Sequence, residues 1–282
     1  MQLECDVALA PRVTIIVTSC GRLDLLQKTM DSLRWFNTYP NVEYMIVEDS
    51  GAESVYDQVT KQYGETCTVL CNRPKRGQIQ SIDRAYSKVT SPYIFHCEDD
   101  WEFFRSGFIE DSMDILQADH SVLQVWLRND LLYGNEFRYE EMIQRSPSGV
   151  GYRIVKNQRS EKHPNATPGF SFNPGLRRLS DYRRVGPFRK LGHETEIADA
   201  FGQLDYYAVA LTHAATTHIG WGRTVPDTFS FTHDTKFKGF ARYVVPPIVF
   251  DAYGWGRRVV GGCISTWSST RTGHYDAERS ND

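Results

Sequence analysis

The chain has 282 residues, room for one large domain or two small ones, and its 40% hydrophobic and 13% aromatic content is that of a globular core. Formal net charge is −3, from 32 basic and 35 acidic residues, which excludes a general electrostatic affinity for nucleic acid or a membrane surface. No run approaches the roughly 20 apolar residues of a transmembrane segment, and the acidic stretch Met1 to Asp6 does not read as a signal peptide.

In chain order, Val13 to Thr18 reads as a buried parallel-type strand, short, continuous and β-branched, with Ser19-Cys20-Gly21-Arg22 as its turn. Leu25, Leu26, Met30, Leu33 and Trp35 then follow at the spacing of an amphipathic helix. A second strand, Glu43 to Val47, ends in Glu48-Asp49-Ser50-Gly51. A helix over Val55 to Tyr63 and a short strand, Thr68 to Leu70, come next. The basic loop Arg73-Pro74-Lys75-Arg76-Gly77 leads into a helix from Gln78 to Lys88, which Ser91-Pro92 closes before the strand Tyr93-Ile94-Phe95.

Four strands alternating with three helices predict an α/β fold, a mixed and mostly parallel sheet flanked by helices. Phe108 to Ala118 reads as a helix and Val122 to Leu127 as a strand. Residues 129–180 read as irregular, with hairpin-like pieces such as Tyr152 to Val155, and long irregular stretches of this kind are often binding surfaces. A helix from Glu194 to Phe201 and a strand from Tyr206 to Leu211 restore order. Thr217 to Arg223 and a Gly-, Ser- and Thr-rich tail end the chain.

The cysteines at 5, 20, 67, 71, 97 and 263 are too scattered for a disulfide scaffold and read as the reduced thiols of a cytoplasmic protein. Cys67-x3-Cys71 lacks the second close pair of a zinc site, and the sequon Asn165-Ala166-Thr167 matters only in a secretory lumen.

Glu98-Asp99-Asp100, directly after an apolar run, is the most informative tripeptide. Three adjacent carboxylates repel one another, and burial makes that worse. A divalent cation such as Mg2+ or Mn2+ relieves the repulsion; a solvated acidic turn is the other reading. In an open parallel sheet ligands sit beyond the carboxyl ends of the strands. Thr18-Ser19-Cys20, Glu48-Asp49-Ser50 and Glu98-Asp99-Asp100 all fall there.

With these strand ends the chain resembles the family-2 glycosyltransferases of the GT-A (Rossmann-like) fold. The resemblance implies that Thr18, Ser19, Arg22 and Asp49 cradle the nucleotide of a nucleoside-diphosphate sugar. It implies that Glu98-Asp99-Asp100 corresponds to the metal-holding Asp-x-Asp motif, Glu replacing the first Asp, with Asp100 the principal ligand of Mn2+ or Mg2+ and Glu98 assisting. Gly186-Pro187-Phe188 and His193-Glu194-Thr195-Glu196-Ile197 are similar to later family segments and imply Glu194 as general base, with Glu196 as its rival. Arg76-Gly77-Gln78 resembles the loop into the donor-side helix, where Asp83 or Arg84 would face the pocket. His218 falls where a late histidine completes the metal shell, or it is a structural residue; Arg223 faces phosphate, or only solvent.

Trp101, Trp126, Trp221 and Trp255 offer planes for sugar rings or pack in the core. The expected protein is a metal-dependent inverting glycosyltransferase with a hydroxyl acceptor. Its domain would span residues 1–230, a donor and metal half at 12–128 and an acceptor half at 129–230. An extension over 231–282 would pack on or cover the site. A Mg2+-dependent nucleotidyltransferase and a non-catalytic carbohydrate-binding protein are the alternatives.

Overall fold

Val13–Ser19 (β1) is buried along its whole length, as an unbroken β-branched run must be when both faces of its sheet are covered. A computed structural model describes residues 10–128, 139–156 and 169–225. After β1 come α1 (Leu23–Phe36), β2 (Val42–Glu48), α2 (Glu53–Tyr63), β3 (Thr68–Cys71), α3 (Gln78–Tyr86) and β4 (Tyr93–Glu98). β1 pairs in parallel with β2 and β4, and β2 with β3. Their carboxyl ends therefore share one edge.

The chain continues through β5 (Trp101–Phe103), α4 (Phe108–Ala118), β6 (Val122–Trp126), β7 (Gln144–Arg145) and β8 (Gly151–Ile154). The described residues end with β9 (Gly175–Arg178), α5 (Leu179–Val185), α6 (Glu194–Gly202), β10 (Tyr207–Leu211) and β11 (Thr216–His218). Among the described residues, nine strands form one sheet in the order β3-β2-β1-β4-β9-β6-β10-β8-β7, while β11 pairs with β5 in a separate ribbon. Helices cover both faces: Leu26, Met30, Phe108 and Leu116 lie in one apolar cluster, Ile82, Tyr86, Ile197 and Phe201 in another. Trp35, expected on the apolar face of α1, is 82% exposed. It stands nine residues beyond Leu26, about two and a half turns away and so on the opposite side.

The irregular reading of 129–180 fails at one place. β9 lies within the sheet, antiparallel to both β4 and β6, so segments from before and after residue 129 share one sheet. Its sequence, Gly-Leu-Arg-Arg, carries no strand pattern. Gly175 is needed because a Cβ there would meet the Val125 carbonyl oxygen at 2.7 Å. Arg178 is 8% exposed and spends its guanidinium on the end of α4. It donates to the Leu116, Asp119 and Val122 carbonyls, the last two at 2.8 and 2.9 Å, and pairs with Asp181 at 2.9 Å. Carbonyls left over at a helix end are thereby satisfied by a cation at the negative pole of its dipole. Arg178→Ala is expected to cost about 3 kcal/mol, because it leaves the buried Asp181 carboxylate with only the Tyr206 and Ser180 hydroxyls and takes a donor from the Leu116 carbonyl. Urea unfolding checks this, and a loss below about 1 kcal/mol would contradict it.

The chain divides into two compact units. The first holds Met1–Trp221 and Val225–Phe229; of the second, only Gly222–Thr224 are among the described residues. The expected covering extension at 231–282, the sequon and Trp255 lie outside them. No helix among the described residues is long and apolar enough to cross a membrane.

Candidate active site

The turns at the carboxyl edge are built by carboxylates accepting backbone N–H groups. Glu48, fully buried, accepts from Gly21 at 3.0 Å and Ser50 at 2.8 Å, fastening the turn after β1 to the turn after β2. Asp49 accepts from Asn72 and from the Arg76 and Gly77 amides, each at 2.8 Å. Gly77 has φ +88°, a backbone open to glycine at little cost, and this aims its N–H at Asp49. Asp49 thus holds the basic loop in place, while the side chain of Arg76 is exposed.

Thr18 is 9% exposed, and its carbonyl receives the Asp99 amide at 3.0 Å. The Ser19 hydroxyl donates to Asp99 at 2.8 Å. Arg22 pairs with Asp99 and, at 2.8 Å, with Asp100. Burial opposes the charge on Arg22, but the two aspartates outweigh it and raise its pKa.

Asp100 Oδ2 also stands 3.3 Å from His218 Nε2, while its Oδ1 is buried without a partner among the described residues. Burial would raise the pKa of Asp100; His218 and Arg22 overcome that and lower it. The backbone folds closely over this residue. A Cβ on Gly220 would meet Asp100 Oδ2 at 2.3 Å and Cγ at 2.8 Å.

Glu98 accepts from Gln78 at 2.7 Å and from the Trp101 indole at 3.4 Å. Burial, with Asp100 and Glu194 adding their repulsion, pushes its pKa up to about 8. Glu194 therefore lies within electrostatic reach of the acidic tripeptide although nearly a hundred residues separate them. Its carboxylate accepts from the Phe172 amide at 3.3 Å and bonds the Ser171 hydroxyl. Burial raises its pKa, with Arg128 and Arg177 pulling the other way. Arg177, 2% exposed, braces this cradle by donating to the Ser171 carbonyl at 3.0 Å.

Other expected residues fall elsewhere. Glu196 is exposed and closes a capping box, accepting from the His193 amide at 2.9 Å at the start of α6. Asp83, one of the two residues expected to face the pocket, is occupied by protein partners. It is 2% exposed and accepts from Tyr182, Phe188 and Arg189 at 2.9, 2.8 and 2.9 Å, tying α3 to the 187–190 turn. Arg84 bonds Asn72 at 2.6 Å. Trp101 is buried against His218, and Trp126 is buried under the Arg128 guanidinium; Trp221 is 61% exposed beside His218. Arg223 is exposed. Cys67 and Cys71 are free thiols, and no group of three metal-type side chains is assembled among the described residues.

Ser171, Phe172 and Arg177, which hold Glu194, went unread because they lie in the stretch without periodicity. Gly220 carried a signal in Gly220-Trp221-Gly222, since paired glycines mark close backbone approach.

A mostly parallel sheet with acidic turns after β2 and β4 along its carboxyl edge defines an α/β enzyme of the GT-A type. Residues 14–178, more than half of the chain, match the model of glycosyl transferase family 2, and the chain belongs to that family. Solved structures share the fold. The mannosyltransferase PcManGT from Pyrobaculum calidifontis, in complex with GDP-Man and Mn2+, is 17% identical over 74% of this chain and 56% of its own, with a TM-score of 0.52. GalNAc-T7, with UDP, GalNAc and Mn2+, is 14% identical over 77% of this chain and 46% of its own, with a TM-score of 0.54. The chain thus spans about half the length of these structural relatives. No protein of curated function matches it.

Proposed function

We propose that this chain transfers a sugar from a nucleoside-diphosphate donor to a hydroxyl acceptor with inversion, assisted by Mn2+ or Mg2+. The observation that carries the reading is Asp100: a buried carboxylate with one unpartnered oxygen, set beside His218 at the sheet edge where Glu194 also converges. Both structural relatives were crystallised with Mn2+, one with GDP-Man and the other with UDP.

The residues present fit such an ion. Mg2+ and Mn2+ sites commonly take one or two protein groups and complete the shell with substrate phosphates and water. Asp100 and His218 would be those groups, and the ion would stabilise charge growing on the departing diphosphate. Glu98, with its raised pKa, is bonded to Gln78 and Trp101 and would assist from behind Asp100. Thr18, Ser19 and the Asp49 loop would line the nucleotide pocket. Arg22 keeps the charge of Asp99 and Asp100 tolerable.

Glu194 would take the proton from the acceptor hydroxyl as it attacks. Its partly desolvated carboxylate, with a pKa above the ordinary value, suits a base that must accept a proton near neutral pH. Glu196 is committed to the helix cap, which favours Glu194 of the two. The free thiols of Cys20, Cys67, Cys71 and Cys97 support a cytoplasmic setting.

Calorimetry with UDP and with GDP, each with and without Mn2+, tests the proposal. Mn2+-dependent binding is expected for one of them, and binding indifferent to the ion would remove the metal from the reading. Release of pyrophosphate during turnover would instead indicate nucleotidyl transfer.

A further inference from the structure

Beyond the ends of β6 and β10 lies a cavity of about 680 Å3 whose charge differs from that of the rest of the chain. Arg105, Arg128, Arg145, Arg153 and His213 line it against one carboxylate, Asp111. The whole sequence is net −3, so this is a local concentration of positive charge and not a reflection of composition. Asp111 is taken up by Arg105 at 2.8 Å. Another nitrogen of Arg105, Nη2, is buried with no partner among the described residues. Arg145 donates to the Gly149 carbonyl at 3.0 Å, and neither it nor Arg153 makes an ion pair among the described residues.

Guanidinium groups that line one cavity repel one another, and a partly enclosed wall screens the repulsion less than open solvent does. An anion offsets that cost, and the planar fork of arginine matches the paired oxygens of a carboxylate or phosphate. The cavity is tied to the candidate active site by shared elements. The strand end 211–214 forms part of its wall, and the same segment runs on through β11 to His218 beside Asp100. Arg128 lines the cavity and contributes to the potential felt by Glu194.

We propose that this cavity seats the anionic group of the acceptor, which is therefore a saccharide carrying a carboxylate or a phosphate. The inference rests on the transferase reading and adds the acceptor class to it. Arginines here hold the charged substituent, while the hydroxyl to be glycosylated is turned toward Glu194. A neutral saccharide gains nothing from these guanidinium groups.

The test uses the full chain with UDP or GDP and Mn2+ present in excess to fill the donor pocket, and reads binding by calorimetric titration with the sugar. Glucuronate, glucose 6-phosphate and glucose are compared on wild type and on the Arg145→Gln, Arg153→Gln double variant. At least one anionic sugar is expected to bind about tenfold or more tightly than glucose, and the double variant to lose about tenfold of that affinity. Glucuronate ahead of glucose 6-phosphate assigns a carboxylate; the reverse order assigns a phosphate. Glucose binding as tightly as both, no binding by either anionic sugar, or unchanged affinity in the double variant overturns the proposal. Mn2+-dependent nucleoside-diphosphate binding is measured in the same samples. Its absence in wild type fails the transferase reading instead, and its retention in the variant shows that the fold is intact.

Discussion

Glu194→Gln is expected to lower kcat by about 10²–10⁴-fold while raising the thermal unfolding midpoint at neutral pH. Both effects come from the same desolvation. Burial raises the pKa of Glu194 in the folded chain above its ordinary value. The native state therefore binds this proton more tightly than the unfolded state does. As pH rises through the interval between the two values, the charged carboxylate costs stability, and the full cost is present above the folded value. Glutamine keeps the shape and the bond from the Phe172 amide but carries no charge, so the variant escapes that cost.

The stability difference between variant and wild type should shrink as pH falls through the interval between the raised and the ordinary value, and vanish below the ordinary glutamate range. The kcat of wild type should fall on the acid side, with a midpoint above that of an ordinary glutamate, because only the ionised form accepts a proton. Glu196→Gln gives the contrast: glutamine still accepts from the His193 amide and keeps the helix cap, and kcat should stay within a few-fold. Wild-type turnover in Glu194→Gln would remove Glu194 from the reaction.

Asp100→Asn should abolish the Mn2+ dependence of nucleoside-diphosphate binding and lower turnover by about 10³-fold, with the fold preserved. Arg22 keeps its pair with Asp99 in that variant, so the turn after β1 retains an anchor. Asparagine offers a neutral oxygen where the ion needs a charged one, which is why the loss should fall on the metal-dependent part of binding. Gly220→Ala reaches the same carboxylate from the opposite side. The added methyl would stand 2.3 Å from Asp100 Oδ2 and 2.6 Å from its Cβ, so the side chain or the 219–221 backbone must shift. Weaker Mn2+-dependent binding is expected there too, although no candidate ligand has been changed. Calorimetry of both variants against wild type checks the pair, and retained Mn2+ dependence in Asp100→Asn would exclude Asp100 as a ligand.

The first half of the fold was legible because each element carries its own pattern. Val13 to Thr18 is too apolar to be anything but a doubly covered strand, and the acidic turns fall at the strand ends that the α/β alternation places on one edge. β9 was not legible. Its arginines look like surface residues until the carbonyls at the end of α4 and the Ser171 carbonyl are brought against them. The cradle of Glu194 was hidden for the same reason, since Ser171 and Phe172 obey no local period and act only through a residue more than twenty positions away.

Local periodicity and turn chemistry by themselves therefore determined the α/β class and the edge that bears the Glu98-Asp99-Asp100 cluster, while the family resemblance singled out Asp100 within it. Tertiary structure alone decided that β9 sits within the sheet, that Asp83 and Glu196 serve as fasteners, and that four arginines meet in one cavity. Such outcomes depend on which polar groups find partners across long sequence separations, and a one-dimensional pattern does not encode that pairing.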